Sequence, residues 1–310
     1  MTSLTKATYL SLLKKRIKHA LLAVFLVCGI SQQYIIAQNA PYKGVDEKVM
    51  SKLGWKVAIQ CWTYNQHTFF DAIDSIQSLG VHYVEMLSYQ TVSKDIPQKS
   101  GPDMDQACLE KVKAKLKETG ITAIAIWVDP FPKDEANLRK LFGWAKEMGI
   151  ETITTEPDPE NKEAMAITAR LCKEYKLKIA VHNHPKKSNN DSYKFWDPAF
   201  ALNVVKPYSP QIGMCTDVGH WYRSGLNSLD CLKKVDGYIN SVHFKDLNEQ
   251  MQDVPLGTGI LNASTLLAEL KRQEFKGVLT LEYESWGIKQ HTEIEQCVEF
   301  LNKEAKKLLK

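Results

Sequence analysis

Eight short runs rich in Val, Ile and Thr recur between residues 57 and 283, and longer stretches of helical spacing separate them. That alternation constrains the fold most, because strands joined through helices lie parallel in one sheet. The expected strands are 57–62 (VAIQCW), 82–87 (HYVEML), 121–127 (ITAIAIW), 151–155 (ETITT), 177–182 (LKIAVH), 211–216 (QIGMCT), 238–243 (YINSVH) and 278–283 (VLTLEY). Amphipathic stretches at 103–118, 135–148, 160–175 and 262–273 supply helices between them. Three helical stretches stop at Gly80, Gly120 and Gly149 just before the next strand, as a left-handed glycine cap does at a tight helix-to-strand turn.

Two α/β architectures compete for such a pattern. An open doubly wound sheet calls for a glycine-rich phosphate loop after its first strand. Trp62-Thr63-Tyr64-Asn65 stands there instead, and neither GxGxxG nor a Walker motif occurs anywhere. The reading is a single (β/α)8 TIM barrel over residues 55–310, preceded by an extension at 39–54, a length that such barrels reach as one domain.

The first 38 residues read differently. Lys14, Lys15, Arg16 and Lys18 form a basic cluster, Ala20 to Val27 is a brief apolar run, and small and polar residues follow through Ala37 and Gln38. This is the pattern of an export signal, and the run is well short of the roughly 20 apolar residues that span a bilayer. Leu26 and Val27 before Cys28 lack the small residue that lipoprotein processing favours. The expectation is signal cleavage, a periplasmic or extracellular protein, and no stable membrane insertion afterwards. That segment holds Lys6, Lys14, Lys15, Arg16 and Lys18 and no acid, so a chain at +4 leaves a mature part at −1. Nothing in that charge suits nucleic acid or an anionic membrane. The six cysteines after Cys28 lie far apart with no CxxC, which argues for buried free thiols.

Active sites of such barrels form at the carboxyl ends of the strands, and here ionisable residues are concentrated there. Strand four ends at Glu156 and strand five runs through His182, Asn183 and His184. Strand six leads into Asp217 and His220, strand seven into His243 and Lys245, strand eight into Glu282 and Glu284. Alternation places His182 with His184, His243 with Lys245, and Glu282 with Glu284 on shared faces. Charges turned into a barrel are costly unless paired or metal-bound. Carboxylates with imidazole suit Mn²⁺, Mg²⁺ or Co²⁺, and the additional histidines admit Zn²⁺ or Fe²⁺. Trp62, Trp127 and Trp286 at expected strand ends, and Glu85 on the second strand, are further candidates for substrate contact. His67, His82 and His291 are read as structural or exposed.

The segments HNHP (182–185), DVGH (217–220), HFKD (243–246), PLGTG (255–259) and LEYE (281–284), in that order, resemble the xylose-isomerase-like TIM-barrel family of sugar isomerases and epimerases. The resemblance covers roughly residues 55–305. It implies one divalent ion, Mn²⁺ before Mg²⁺, Co²⁺ or Zn²⁺, held by a Glu, an Asp, a His and a Glu from strands five to eight. Asp217, His243 and Glu282 match the last three. His182 stands where many epimerases place the strand-five glutamate, and Glu156, one strand earlier, is the expected substitute. The ligand set is therefore read as Glu156, Asp217, His243 and Glu282, with the first position open to His182 or His184.

The implied function is a metal-dependent sugar isomerase or epimerase that removes a proton alpha to a carbonyl through an enediolate. Glu156 and Glu282 are the expected proton carriers, with His182 or His184 as alternatives. Lys245 is an electrophile, and His184, His220, Glu85 and Trp62 are substrate contacts. The expected partner is an unphosphorylated carbohydrate, with self-association left open. A lyase or hydratase acting on keto-sugars or 3-keto-glycosides, and a non-catalytic sugar-binding protein, are the alternatives.

Overall fold

The strands of β1 (Trp55–Gln60), β2 (Tyr83–Leu87), β3 (Thr122–Trp127), β4 (Thr152–Thr155), β5 (Lys178–His182), β6 (Ile212–Asp217), β7 (Ile239–Phe244) and β8 (Gly277–Leu281) close into one parallel barrel. Each pairs with its chain neighbour, and β8 returns to pair with β1. The computed structural model describes residues 42–310, so the expected export signal lies outside the described residues. Lys43–Lys310 forms one compact unit.

All eight strands fall within two residues of their expected starts. Two ends differ in a way that matters. The first strand stops at Gln60 because Cys61–Tyr64 tightens into a 3-10 turn. The last stops at Leu281, which places Glu282 and Glu284 on the loop beyond it.

The helices are α1 (Glu47–Leu53), α2 (Phe69–Ser78), α3 (Gln106–Thr119), α4 (Glu135–Met148), α5 (Lys162–Tyr175), α6 (Pro198–Val205), α7 (Val218–Arg223), α8 (Ser228–Lys234), α9 (Ala263–Arg272) and α10 (Gln290–Leu308). Their ends follow from local chemistry. Asp105, Asp134 and Asn161 each accept the backbone N–H three residues on, capping α3, α4 and α5. Gly120 and Gly149 take the left-handed conformation after α3 and α4, as their positions before strands required. Leu138, Leu141, Phe142 and Ala145 are buried on α4 at i, i+3, i+4 and i+7, each large side chain contributing roughly 1.5–3 kcal/mol of burial.

The residues from Gly44 belong to this barrel unit. Asp46 N donates to Asn302 Oδ1, and Asn302 Nδ2 donates to the Gly44 carbonyl, which ties the start of α1 to α10. Inside the barrel, Ala58, Ile124, Ala125 and Val278 form an apolar cluster. Nearer the carboxyl ends the filling turns polar, with Glu85, His243 and Thr280 all buried. Cys61, Cys108, Cys172, Cys215, Cys231 and Cys297 are buried free thiols, as expected. Among the described residues no helix is long and apolar enough to cross a membrane.

After β7 the chain makes a short antiparallel pair, Asp246–Leu247 with Asp253–Val254. The Asp246 carboxylate accepts the backbone N–H groups of Leu247, Gly257, Gly259 and Leu261 at 2.9–3.1 Å. The PLGTG segment is thus wound around the HFKD aspartate, and this pair of motifs shapes the barrel rim.

Candidate metal centre

The centre is assembled from four strand ends. Asp217 closes β6, and its Oδ1 caps α7 by accepting His220 N–H at 2.7 Å. Asn183 fixes the backbone of Asp217 from both sides, accepting its N–H at 2.9 Å and donating to its carbonyl at 3.1 Å. That leaves Asp217 Oδ2 buried with no hydrogen-bond partner. His243 lies across from Asp217 in the β6–β7 register. Its Nε2 meets Glu85 Oε2 at 3.0 Å, and its Nδ1 is buried without a hydrogen bond. His182 ends β5, with Nε2 likewise orphaned. Glu282, the first residue past β8, brings Oε2 to 3.2 Å from His243 Nδ1.

One donor atom from each of His182, Asp217, His243 and Glu282 lies within 4.8 Å of the other three, and all four residues are buried. Buried polar atoms rarely lack a well-formed hydrogen bond, yet His182 Nε2, Asp217 Oδ2 and His243 Nδ1 meet ion-pair partners instead, at 3.1–4.0 Å. This donor set, two imidazoles and two carboxylates, could hold a divalent ion of the Mn²⁺ to Zn²⁺ group.

Glu156 stands in a neighbouring cluster. It does not join the group of four. Its Oε1 accepts from His184 Nδ1 at 2.6 Å, Tyr193 hydroxyl at 2.8 Å and His184 N–H at 3.2 Å, with His182 Nδ1 at 3.4 Å. Glu156, His182 and His184 form a second group of donors, with Glu156 and His184 joined by the 2.6 Å hydrogen bond. Burial opposes ionisation of Glu156, yet the His182 and His184 contacts hold its carboxyl well below the usual range.

Glu85 is also relocated. It sits in the middle of β2, fully buried, accepting from Thr280 Oγ1 at 2.9 Å as well as from His243. It lies beneath His243, orients that ring and has no access to a substrate.

Lys245 is buried on the inner side of the site. Its Nζ lies 3.1 Å from Asp217 Oδ2, 2.9 Å from Glu282 Oε2 and 3.1 Å from Glu284 Oε2. Gly219 makes room for its stem, since a Cβ there would come within 2.5 Å of Lys245 Cγ. Burial disfavours the ammonium, but Asp217, Glu282 and Glu284 outweigh it and hold its pKa well above the ordinary value.

Above the four donors opens a cavity of about 300 Å³. Trp62, Trp127, His182, His184, His220 and Glu282 line it, so six residues singled out at strand ends meet at one opening. Burial is the largest cause that keeps the His220 ring neutral, well below its ordinary pKa. Trp286 is half exposed and lies apart, because β8 ends earlier than expected.

Sequence reasoning missed Gln60, Tyr89 and Arg223 in the lining, and gave Glu284, named at the strand-eight end, no role. Arg223 had a signal, since it follows His220 by one helical turn. Its guanidinium contacts Glu284, Asp253 Oδ2 and the Met251 carbonyl. Tyr193 had none, because it reaches Glu156 from a loop.

Fold and donors together define a single-barrel protein with a candidate metal centre at the strand carboxyl ends. The chain belongs to the xylose isomerase-like TIM barrel family, whose profile matches residues 73–304. An uncharacterized protein from Parabacteroides distasonis shares 32% identity, covering 81% of this chain and 99% of its own with a TM-score of 0.63. A D-tagatose 3-epimerase-like protein is 16% identical over 82% of this chain and 98% of its own, with a TM-score of 0.64. A xylose isomerase-like TIM barrel protein from Mycobacterium smegmatis, solved in complex with magnesium, is 13% identical over 83% and 98%, with a TM-score of 0.65. The last two likenesses speak to the fold. Among curated proteins nothing matches.

Proposed function

We propose that this protein is a divalent-metal-dependent isomerase or epimerase of an unphosphorylated sugar, acting by proton removal alpha to a carbonyl. The observation that carries this reading is the convergence of donor atoms from His182, Asp217, His243 and Glu282 in one buried group. His182, Asp217, His243 and Glu282 would hold the ion. When bound, the ion supplies Lewis-acid polarisation of a sugar carbonyl and stabilises negative charge on its oxygen. Two imidazoles among the donors favour Mn²⁺, Co²⁺ or Zn²⁺ over Mg²⁺.

Proton movement falls to two groups three strands apart around the mouth. His184 follows β5 and Glu282 follows β8, and in the closed barrel β5 lies between β4 and β6 while β8 lies between β7 and β1. A substrate carbon held between them can lose a proton on one face and regain it on the other, which is what an epimerisation needs. His184 Nδ1 is committed to Glu156, so Nε2 is the nitrogen left to act, and Glu156 orients the ring. Glu156 itself, its Oε1 held by His184 and Tyr193, serves as a positioning residue. Trp62 and Trp127 offer apolar walls to a sugar ring and keep water away. The Arg223 guanidinium in the cavity lining is already engaged by Glu284 and Asp253, so it is not free to hold a phosphate there.

Elimination from a keto-sugar is the second reading, because the strand-five carboxylate of the two-glutamate epimerases is here His182. Incubating sugars and 3-keto-glycosides with metal-loaded protein in D₂O separates the two. Solvent deuterium in a product of unchanged composition supports isomerisation, whereas loss of water or aglycone supports elimination. Turnover that survives both Asp217→Ala and His243→Ala would overturn the metal reading. The basic and apolar N-terminus supports export of the mature chain, which N-terminal sequencing of the exported protein tests.

A further inference from the structure

The loop after β1 and the loop after β2 enclose a second recess of about 480 Å³ beside the metal cavity. Trp62, Leu87 and Tyr89 line both spaces, so the two adjoin along one aromatic edge. The metal cavity alone is at the lower limit of ordinary small-molecule sites, and the two together fall well within their range.

The recess is preformed. Gln90 Nε2 donates to the Tyr64 and His67 carbonyls at 3.2 and 3.0 Å, tying one loop to the other. Phe69 and Phe70 N–H groups at the start of α2 donate to the Thr91 and Val92 carbonyls at 2.8 and 3.0 Å. Thr91 bridges to Lys99, whose Nζ also donates to Thr91 Oγ1 at 3.0 Å. Gln90 is buried, and its Oε1 has no hydrogen-bond partner.

Its chemistry is that of a sugar surface. Trp62 and the partly exposed Tyr89 bring aromatic rings to its lining, and Asn65, Thr91 and Ser93 bring neutral donors and acceptors. Lys94 and Lys99 add two ammonium donors, His67 adds a ring, and no carboxylate lines it. Aromatic faces cover the apolar C–H side of a pyranose, and neutral polar groups match its hydroxyls.

We propose that this recess is a subsite for a second unit, so that the substrate is a glycoside or disaccharide whose reacting ring lies over the four donors. The inference rests on the sugar reading above and assigns the second unit of a linked sugar to a defined place beside the reacting ring.

Saturation-transfer NMR and calorimetry on the metal-loaded protein test it with matched probes: glucose with cellobiose, galactose with lactose, xylose with xylobiose. At least one disaccharide is expected to bind tenfold or more tightly than its monosaccharide, with saturation reaching both rings. Gln66→Trp, at an exposed position on the rim, is expected to remove that advantage and leave monosaccharide affinity unchanged. Monosaccharide binding with no gain for any disaccharide overturns this inference and leaves the sugar reading standing. An equal loss for both probes in Gln66→Trp also overturns it. Binding of no probe overturns both.

Discussion

Lys245 Nζ lies 2.9 Å from Glu282 Oε2, the same oxygen that stands 3.2 Å from His243 Nδ1. A fixed cation and the candidate ion therefore compete for one carboxylate, and Asp217 Oδ2 is shared in the same way. Repulsion between charges at such range amounts to roughly 1–4 kcal/mol at the effective dielectric of protein sites. Lys245→Met is expected to bind Mn²⁺ at least about tenfold more tightly by calorimetry, with circular dichroism verifying the fold. Unchanged or weaker binding would show that Lys245 does not compete with the ion.

Asp217 performs two tasks through two oxygens, Oδ1 on the α7 cap and Oδ2 toward the other donors. Asp217→Asn keeps an acceptor for the cap and removes the charge. It is expected to fold normally and to lose Mn²⁺ affinity by about a hundredfold or more. Asp217→Ala is expected to lose a further ~1 kcal/mol of stability with the cap. Comparing denaturant midpoints with metal titrations separates the two losses, and wild-type affinity in Asp217→Asn would remove Asp217 from the centre.

The residues that sequence placed well are those whose position along a strand decides their role. Asp217 and His243 sit at or next to the ends of β6 and β7, where alternation alone turns them inward. Glu282 was found on the same logic although β8 ends one residue before it. Glu156 and Glu85 were misplaced because a strand-end motif gives no height along the barrel axis. Glu85 is two residues below the end of β2, so it meets the underside of His243. Glu156 is one residue past β4, where His184 and Tyr193 reach it. Tyr193 comes from the loop between β5 and α6, and a loop's path is not written in hydrophobic period.

Glu85 provides a test of support from beneath. Its carboxylate is fully buried and fixes His243 Nε2, leaving Nδ1 for the donor cluster. Glu85→Gln keeps the shape and removes the charge that favours this arrangement. Mn²⁺ affinity is expected to fall by about 10- to 100-fold, with the metal still bound at one equivalent. Loss of less than about twofold would show that His243 is oriented by packing alone.

Asp246 should behave in the opposite way, mattering for stability and little for metal. Its two oxygens accept four backbone N–H groups, of which those of Leu247 and Leu261 would otherwise be buried and unpaired. Asp246→Ala leaves those donors without a partner and is expected to cost about 3–5 kcal/mol in chemical denaturation. Metal affinity of the folded fraction should stay near wild type. A variant of normal stability would refute the rim role given to the HFKD and PLGTG segments.

The strongest pH dependence should come from the two imidazoles of the centre. Burial alone would strip His182 of its proton, but the Asp217 and Glu156 carboxylates outweigh burial and lift its pKa from 6.5 to about 9. Burial likewise opposes the His243 cation, and Cys215, Glu85 and Glu282 reverse the balance, holding it well above the ordinary value. In the metal-free protein both rings are therefore protonated at neutral pH. A raised folded-state pKa stabilises the fold fully below about 6.5, and that contribution is lost as pH climbs through about 9. A metal needs both rings neutral, so binding expels protons and tightens as pH rises, by up to about tenfold per pH unit for each proton released. Thermal melts from about pH 6 to pH 9 should show the metal-free protein losing stability while the gain on adding Mn²⁺ widens. A gain that stays constant across this range would mean that His182 and His243 are neutral before the metal arrives.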